Sequence, residues 1–267
     1  MRYVYDNDLH IHSKLSSCSR DEEQTAERIL RYARQNGLKT VCLTDHFWDT
    51  AVEGASSWYK EQNFAHISKA KPLPQEEGIR FLFGCETEMD KFFRLGITKE
   101  SIDKLDFVVV PTTHLHMRDF TIAAEDYDSY EKRAMLWVKR LDALLGMDLP
   151  FRKMGLAHAT CSLIAPTRKN YLEVLKLIPH AETERLFKQA ASVGIGIELN
   201  ASVFDFQNED EAAIALMPYK IAKACGCKFY CGSDAHHPEE LDRTKAIVER
   251  TINLLNLTEE DRFHIPT

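Results

Sequence analysis

Two histidines near the start of the chain, His10 and His12, are spaced so that both can bind one metal ion. They follow a short β-rich run, and side chains two residues apart in a strand point to the same side. Two imidazoles on one face at a strand end can therefore chelate one cation. An isolated H-x-H pair is weak evidence, because the same spacing also occurs in ordinary surface sequence.

Five later stretches repeat this arrangement, because each is an apolar run of about strand length that ends in a side chain able to bind a metal. The side chains at these ends are His46, Glu86, His114, His158 and the pair Asp234 and His236. Imidazole and carboxylate groups suit zinc, iron or manganese, and several such cations close together can activate water and hold phosphoryl oxygens. The repetition predicts one metal centre built from several strand ends.

The segments between these ends alternate between strands and helices. Residues 19–22 fit a capping box, apolar side chains from 26 to 33 form a helical stripe, and Gly37 is a stop signal. A strand at 40–43 follows at once, and strand, helix, strand with short joints favours parallel pairing. Residues 47–78 are rich in aromatic side chains and are predicted to form a long loop, with one or two short helices, over the mouth of the site.

The chain contains seven predicted strands separated mostly by helices, with later helices at about 125–145, 181–192, 209–225 and 238–255. Such strands can form an open sheet or a closed barrel. An open sheet spreads its strand ends along a line, whereas a barrel gathers them into one ring, where barrel enzymes carry out their chemistry. The shared metal centre therefore favours a single α/β barrel domain over residues 1–267, with no repeat or linker to mark a second domain.

The composition limits the kinds of partner. The formal net charge is −7 and there is no long run of lysine or arginine, so a stable nucleic-acid partner is not expected. No apolar segment is long enough to predict a membrane span. The seven cysteines are an odd number without a C-x2-C pair, which favours a reducing, cytoplasmic location over a disulfide framework. The oligomeric state is not predicted.

Taken in order, the strand-end motifs resemble those of the PHP family, the polymerase and histidinol phosphatase domains. The motifs are D-L-H-x-H at 8–12, T-D-H at 44–46, G-x-E at 84–86, a strand-end histidine at 114, A-H at 157–158 and G-S-D-A-H at 232–236. The resemblance extends from Asp8 to about the final helix. It implies a distorted seven-stranded (β/α)7 TIM-like barrel with a metal site at the C-terminal ends of the strands, up to three divalent metal ions, and phosphoester hydrolysis.

The resemblance also divides the predicted ligands among three metal ions. The implied groups are His10, His12, Glu86 and Asp234 for one site, His46 and His236 for a second, and His114 and His158 with a bridging Glu86 for a third. A hydroxide bridging the metals would attack phosphorus in line, so no serine or cysteine nucleophile is needed. Glu86 and His236 are therefore expected to take part in catalysis as well as in metal binding.

One position departs from the family pattern. In family members with three metals a further histidine commonly lies six residues after the second histidine of the first motif, and here that residue is Cys18. A thiolate can bind zinc, so Cys18 could replace the imidazole. Alternatively it is a loop cysteine, and the second metal site is weak or empty. Both interpretations stay open, and so does the choice between two and three metal ions.

Other polar side chains near the strand ends are candidates for supporting roles. Asp45 is predicted to orient His46 or a water ligand and so to assist catalysis, although it could simply close the turn at the strand end. Glu88 would share a strand face with Glu86 if that strand continues and could add a carboxylate, but it is interpreted as a solvated loop acid. Glu198 and Asn200 end the sixth strand, where they could fix ligand histidines or make buried structural hydrogen bonds.

Recognition of a phosphate group needs cationic partners in addition to the metals. Arg118 and Arg168 are the first choices, because each follows a ligand strand closely. His116 is interpreted as a neighbour of the substrate or as an exposed residue.

The leading hypothesis is a cytoplasmic, metal-dependent phosphomonoesterase that acts on a small phosphorylated metabolite with two or three zinc, manganese or iron ions. A histidinol phosphatase is one option, although residues 159–162 lack the His-Pro-Asp pattern associated with that branch. The first alternative is an amidohydrolase-type metal hydrolase, a class that usually has eight strands and often a bridging carboxylated lysine. The second is a non-catalytic metal-binding PHP module, which should have lost several ligands.

Overall fold

The computed structural model describes residues 1–266. The strands are β1 (Asn7–Ile11), β2 (Thr40–Leu43), β3 (His46–Phe47), β4 (Arg80–Phe83), β5 (Cys85–Thr87), β6 (Val108–Pro111), β7 (Met154–Ala157), β8 (Gly196–Asn200) and β9 (Lys228–Gly232). The helices are α1 (Ala26–Asn36), α2 (Phe64–Ile67), α3 (Lys99–Asp103), α4 (Tyr130–Leu145), α5 (Tyr171–Lys176), α6 (His180–Val193), α7 (Glu209–Ala215), α8 (Met217–Ala224) and α9 (Pro238–Leu254). Strands and helices thus alternate through most of the chain.

All paired strands are parallel and belong to two hydrogen-bonded sheets. One sheet has the order β1, β2, β4, and the other has the order β3, β5, β6, β7, β8, β9. Parallel pairing directs the carboxyl ends of neighbouring strands to the same edge. The expected α/β class is confirmed, and the strand ends that carry the candidate ligands point in one direction.

The strand count differs from the predicted seven, because nine strands are present within the described residues. The strand predicted at 40–43 is present as β2, but an additional short strand, β3, follows it, and the strand that leads to Glu86 is broken at Gly84 into β4 and β5. A Cβ atom on Gly84 would lie 2.2 Å from the carbonyl oxygen of Phe107, so only glycine allows this close approach. Gly84 N donates to Leu43 O and Cys85 N donates to Phe107 O, so the strand changes its pairing partner at this point.

Helix α1 begins later than the capping box at residues 19–22 predicts. Thr25 is the N-cap, and its side chain accepts a hydrogen bond from Arg28 N. Ser19 Oγ instead donates to the carbonyl oxygen of His236, which fixes the loop near the strand ends. The predicted stop is confirmed, since Gly37 ends α1 with a φ of 70°, in the left-handed region that glycine adopts without a Cβ clash.

Two apolar clusters stabilise this arrangement. The larger one packs the strands against the helices. Because side chains alternate along a strand, every second side chain points to the other face of the sheet. Side chains on that face form a smaller inner cluster, to which six strands contribute. Its members are Leu9, Cys42, Leu82, Phe107, Val109, Ala157, Tyr230 and Phe263.

The two sheets approach each other where the ends of β1 and β9 lie side by side. Asp234 N donates to His10 O at 2.8 Å, and His12 N donates to Ala235 O at 3.1 Å. The Asp8 carboxylate accepts a hydrogen bond from Ser233 N at 2.9 Å. These contacts place the H-x-H pair beside the last candidate ligands of the chain.

Among residues 1–266, no helix combines the length and the apolar character that crossing a membrane requires.

Candidate metal centre

The carboxyl ends of the strands bring eight candidate ligands into one cluster. Six of them are buried, while the last two, which follow β9, are partly exposed. The eight are His10, His12, His46, Glu86, His114, His158, Asp234 and His236.

His10 and His12 face the same two carboxylates. Their Nε2 atoms are 3.1 Å apart and lie 3.5 and 3.3 Å, respectively, from Asp234 Oδ1. The same atoms lie 3.6 and 3.4 Å from Glu86 Oε2. The two imidazoles therefore converge as the strand spacing predicts.

Glu86 lies at the centre of the cluster. Its Oε2 is 2.9 Å from His46 Nδ1, and its Oε1 is 3.1 Å from His158 Nε2. Burial alone would raise the pKa of this carboxyl, but the neighbouring His46 and His10 outweigh that effect and hold the pKa well below its usual range. Glu86 is thus a carboxylate with imidazoles on both sides, an arrangement suited to bridging two cations.

Three sets of side chains each have donor atoms within 4.8 Å of one another, close enough to share a cation. The sets are His10, His12 and Asp234, then His12, His46 and His236, and finally Glu86, His114 and His158. They overlap the three groups expected from the sequence, with two differences. His12 belongs to two sets, and Glu86 belongs only to the third set and not also to the first.

The first two histidines have their Nδ1 atoms held by oxygen. His10 Nδ1 donates to Glu198 Oε1 at 2.7 Å. His12 Nδ1 is 2.9 Å from Ser16 Oγ, whose own proton goes to Asp45 Oδ1 at 2.7 Å, so Ser16 accepts from His12. Both Nε2 atoms point into the cluster, where a bound cation would take the place of a proton.

Three more histidines are oriented in the same way. His114 Nδ1 lies 2.9 Å from Glu88 Oε2. Thr113 Oγ1 donates to the backbone oxygen of His158 at 2.9 Å and therefore accepts from His158 Nδ1 at 3.1 Å. His236 Nδ1 donates at 2.9 Å to the backbone oxygen two residues earlier. Their Nε2 atoms are likewise available as ligands.

The donor set fits divalent cations. His46 Nδ1 is a buried nitrogen that, within the described residues, has no hydrogen-bond partner, although it points at Glu86. Burial lowers the pKa of both His114 and His236 to about 3, so these imidazoles are neutral. Burial also opposes protonation of His12, but its hydrogen bonds to two carboxylates outweigh this and raise its pKa to about 9. A cation could replace the proton that such a crowded cluster would otherwise hold.

Asp45 has different partners from the expected ones. It is buried and accepts three hydrogen bonds of 2.7 Å, from Ser13 N, Ser13 Oγ and Ser16 Oγ. The polar loop after β1 folds back onto this carboxylate, so Asp45 contacts the loop and not the imidazole of His46. Asp45 contacts the metal centre only indirectly, because it accepts a hydrogen bond from Ser16, which is hydrogen-bonded to His12.

The interpretation of Glu88 as a solvated acid is wrong. Glu88 is fully buried, with Oε1 2.7 Å from Arg140 Nη2 and Oε2 facing His114. Arg140 belongs to α4 and is also fully buried. The sequence contains a signal for the burial of Arg140. Arg133, Trp137 and Arg140 are spaced so that they lie on the same side of α4 as its apolar residues.

An open cavity of about 810 Å³ leads to the cluster. Trp58 and Tyr59, from the long loop after β3, form part of its wall, in agreement with the prediction that this loop lies over the site mouth. His116 and Arg168 also line the cavity. Cys18 lines it as well, but its sulfur belongs to none of the three ligand sets.

Arg118 is not among the residues that line this cavity, contrary to the expected role in phosphate binding. Its guanidinium stacks over the ring of Tyr127 at 5.6 Å. The chain turns sharply at Asp119, which has a φ of 63°, and Arg118 pairs with Ile122 across the turn. This local turn holds Arg118 away from the site.

Parallel strands with a histidine and carboxylate cluster at their carboxyl ends define an α/β protein with a candidate site for divalent metal ions. The sequence profile of the PHP domain matches residues 8–263, so the chain belongs to the PHP domain family. The family predicted from the strand-end motifs is thereby confirmed.

Relatives from two organisms are named probable phosphatases. The one from Thermoanaerobacter sp. (strain X514) is 24% identical over 267 residues, which cover 97% of this chain and 89% of the relative. The one from Caldanaerobacter subterraneus is 24% identical over 236 residues, covering 86% of this chain and 76% of the relative. These names agree with the enzyme class expected from the sequence.

Two solved structures share the fold. The histidinol phosphate phosphatase of Lactococcus lactis, in complex with zinc, L-histidinol and phosphate, has a TM-score of 0.58 at 18% identity, covering 93% of this chain and 94% of that one. A Listeria monocytogenes protein assigned as a histidinol phosphatase has a TM-score of 0.62 at 14% identity, covering 90% and 98%.

Proposed function

We propose that the protein is a metal-dependent phosphomonoesterase that hydrolyses a small phosphorylated metabolite. The observation that carries the proposal is the cluster itself, in which six imidazoles and two carboxylates converge at the end of an open cavity. Five of the imidazoles have Nδ1 held by an oxygen, so that Nε2 is free to bind a cation. The PHP family and the phosphatase names of the relatives support this choice of reaction.

The eight converging side chains are proposed to hold two or three divalent ions, with Glu86 as the bridge. Zinc has support from the Lactococcus lactis enzyme, and the donor types also suit manganese and iron. When bound, such ions supply positive charge to the phosphoryl oxygens and lower the pKa of the attacking water.

The residues of the chain orient the groups that react. His236 is partly exposed beside the cavity, and its unprotonated Nε2 is available as a ligand next to the position of the attacking water. The water oxygen forms a bond to phosphorus and the ester P–O bond breaks. The ester oxygen leaves with a proton as the alcohol, and inorganic phosphate is the second product. Asp45 acts at a distance, because it positions Ser16 and through it His12.

The two sheets are proposed to close into one distorted barrel that forms a single domain over residues 1–267. The hydrogen bonds between the ends of β1 and β9 support closure, and so does the inner apolar cluster, to which six strands contribute. In a barrel the carboxyl ends of all strands surround one site.

Histidinol phosphate is one candidate substrate, on the basis of the fold shared with the Lactococcus lactis enzyme. His116 and Arg168 line the cavity and are proposed to face the bound substrate. The seven cysteines are free thiols, which supports a reducing, cytoplasmic location.

The proposal is tested by Glu86→Gln, which keeps the size of the side chain but removes its charge. Metal content and phosphate release from 4-nitrophenyl phosphate are measured on the same samples. We expect the variant to lose at least about one metal ion per chain and more than about 100-fold in rate, because a bridging ligand holds two ions. The matched control is Glu259→Gln, whose carboxylate is ion-paired to Arg262 away from the metal centre. Full metal content and rate in Glu86→Gln would contradict the assignment.

The two alternatives give different results in the same experiment. An amidohydrolase would cleave C–N bonds and release no phosphate from any ester. A non-catalytic module would bind metal yet hydrolyse nothing in a broad screen of phosphoesters and amides.

A further inference from the structure

The cavity is much larger than a phosphate group needs, so its outer wall must contact the rest of the substrate. A volume of about 810 Å³ lies in the range of pockets that enclose drug-sized ligands. Apolar side chains make up much of the wall above the metal cluster. They include Trp58, Leu163, Tyr171, Val203 and Ile247. The substrate should therefore have an apolar or aromatic body.

Outside the metal cluster, the residues that line the cavity have a net positive formal charge. The cavity has two arginines, Arg168 and Arg243, and one acid, Glu240. Glu240 is already engaged, since its Oε2 accepts hydrogen bonds from His236 N at 2.6 Å and His237 N at 3.1 Å at the start of α9. No other aspartate or glutamate of the wall is free to bind an ammonium group, because the remaining two belong to the metal cluster.

The two arginines differ in how far their charge is already neutralised. Arg243 Nη1 lies 3.1 Å from Asp205 Oδ2. Arg168 makes no ion pair with any residue from 1 to 266, although it lines the same cavity. An unpaired guanidinium facing a cavity is a ready partner for a carboxylate or a phosphate.

We propose that the substrate has a second anionic group on an apolar or aromatic body, and that Arg168 binds this second group while the metal centre binds the phosphoryl group that is hydrolysed. This inference rests on the proposed phosphomonoesterase function and specifies its substrate class. The shared chemistry is a carboxylate or a second phosphate. A cationic amino alcohol ester such as histidinol phosphate would find only Glu240 on the wall outside the metal cluster, and Oε2 of that carboxylate already accepts two backbone hydrogen bonds. The inference therefore favours an anionic substrate over histidinol phosphate.

Three aryl phosphates that differ only in a remote charge test the proposal. They are 4-(2-carboxyethyl)phenyl phosphate, 4-propylphenyl phosphate and 4-(2-aminoethyl)phenyl phosphate. Two methylene groups separate the charge from the ring, so the leaving phenols have similar acidity. We expect kcat/KM of the metal-loaded protein to fall about tenfold from the anionic to the neutral ester, and further for the cationic ester. A phosphonomethyl group in place of the carboxylate then distinguishes the two anion types.

The variant Arg168→Gln tests whether Arg168 causes the preference for the anionic ester. We expect it to lower kcat/KM for the anionic ester by about tenfold, with a much smaller change for the neutral ester. The matched control is Lys169→Gln, which removes an adjacent exposed charge that does not line the cavity and should keep the charge preference. An equal loss for all three esters in Arg168→Gln would overturn the proposal, because it would place Arg168 on the reacting phosphoryl group. Equal wild-type rates for the three esters would overturn it too.

Binding of non-hydrolysable phosphonates shows whether this inference or the proposed function has failed. The matching benzylphosphonates cannot be hydrolysed, and their affinity is read by calorimetry. If no ester is hydrolysed but the anionic phosphonate binds about tenfold more tightly in an Arg168-dependent way, the charge preference stands and the catalytic proposal fails. If hydrolysis occurs without any charge preference in rate or binding, only the present inference fails.

Discussion

The hydrogen bonds to the Nδ1 atoms decide what the histidines can do. An imidazole that donates from Nδ1 to a fixed oxygen has its tautomer and ring plane set before a metal arrives. For His10 and His114 the acceptors are the buried carboxylates Glu198 and Glu88. For His12 the acceptor is the hydroxyl of Ser16. The ligand nitrogens are therefore preorganised. The conformational entropy lost in ordering these rings does not reduce the free energy of metal binding.

Asp45→Asn tests this account at a residue that touches no predicted ligand side chain. An amide in place of the carboxylate loses acceptors for Ser13 and Ser16, so the hydroxyl that orients His12 is no longer fixed. We expect metal affinity to fall about 10- to 100-fold, measured in chelator-buffered zinc. As a control, Asp106→Asn removes an exposed carboxylate that accepts a hydrogen bond from Phe83 N elsewhere, and it should leave the affinity unchanged. Wild-type affinity in Asp45→Asn would refute the positioning role.

Cys18 is the departure from the family pattern that the structure helps to interpret. Its sulfur lines the cavity but lies outside the three ligand sets. Cys18 is exposed, whereas six of the eight candidate ligands are buried. We expect Cys18→Ser to keep the metal stoichiometry of the wild type in elemental analysis. Loss of one metal ion per chain would instead establish a thiolate ligand.

At the scale of elements, α4 connects the metal centre to the outer helical layer. Arg140 of α4 donates to Glu88, to Met89 O at 2.8 Å and to Thr121 O at 3.3 Å. Glu88 in turn faces the ligand candidate His114. Burial raises the pKa of Glu88 to about 7 even though Arg140 lies beside it, so the carboxyl depends on this arginine to stay ionised.

Arg140→Met should therefore be strongly destabilising. It leaves Glu88 buried without its cation, which costs about 3–5 kcal/mol of unfolding free energy in comparable cases. The measurement is denaturant unfolding of the metal-free protein. Lys139→Met on the exposed side of the same helix is the control and should change stability by less than about 0.5 kcal/mol. Similar stability of the two variants would argue against the importance of the ion pair.

The sequence predicted the ligand positions because each ends an apolar run, and strand ends can be located from short-range pattern alone. It failed where a distant partner decides the structure. Glu88 is buried because Arg140, 52 residues later, reaches it. Ser19 is not the helix cap because its hydroxyl bonds to His236. The predicted helix at 209–225 is two helices, α7 and α8, and the second has Pro218 in its first turn, where the missing N–H needs no partner.

At the scale of the whole molecule, metal binding should be coupled to proton release. In the metal-free protein the pKa of His12 is raised to about 9, because contacts with carboxylates outweigh its burial, so this imidazole is protonated at pH 7.5. A cation must displace that proton. We expect release of at least one proton per chain at pH 7.5, and metal affinity that rises with pH up to about 9. Calorimetry in two buffers of different ionisation enthalpy measures the release, and a value of zero would contradict this picture.

We propose that one cluster of histidines and carboxylates both binds metal and hydrolyses phosphomonoesters. The most direct test is a titration of the metal-free protein with zinc or manganese, in which bound metal and phosphate release are measured on the same samples. The account predicts no activity without metal and a rate that rises until at least two ions per chain are bound. Full activity of the metal-free protein would contradict it, and so would two or more bound ions with no phosphate released from any ester, histidinol phosphate included.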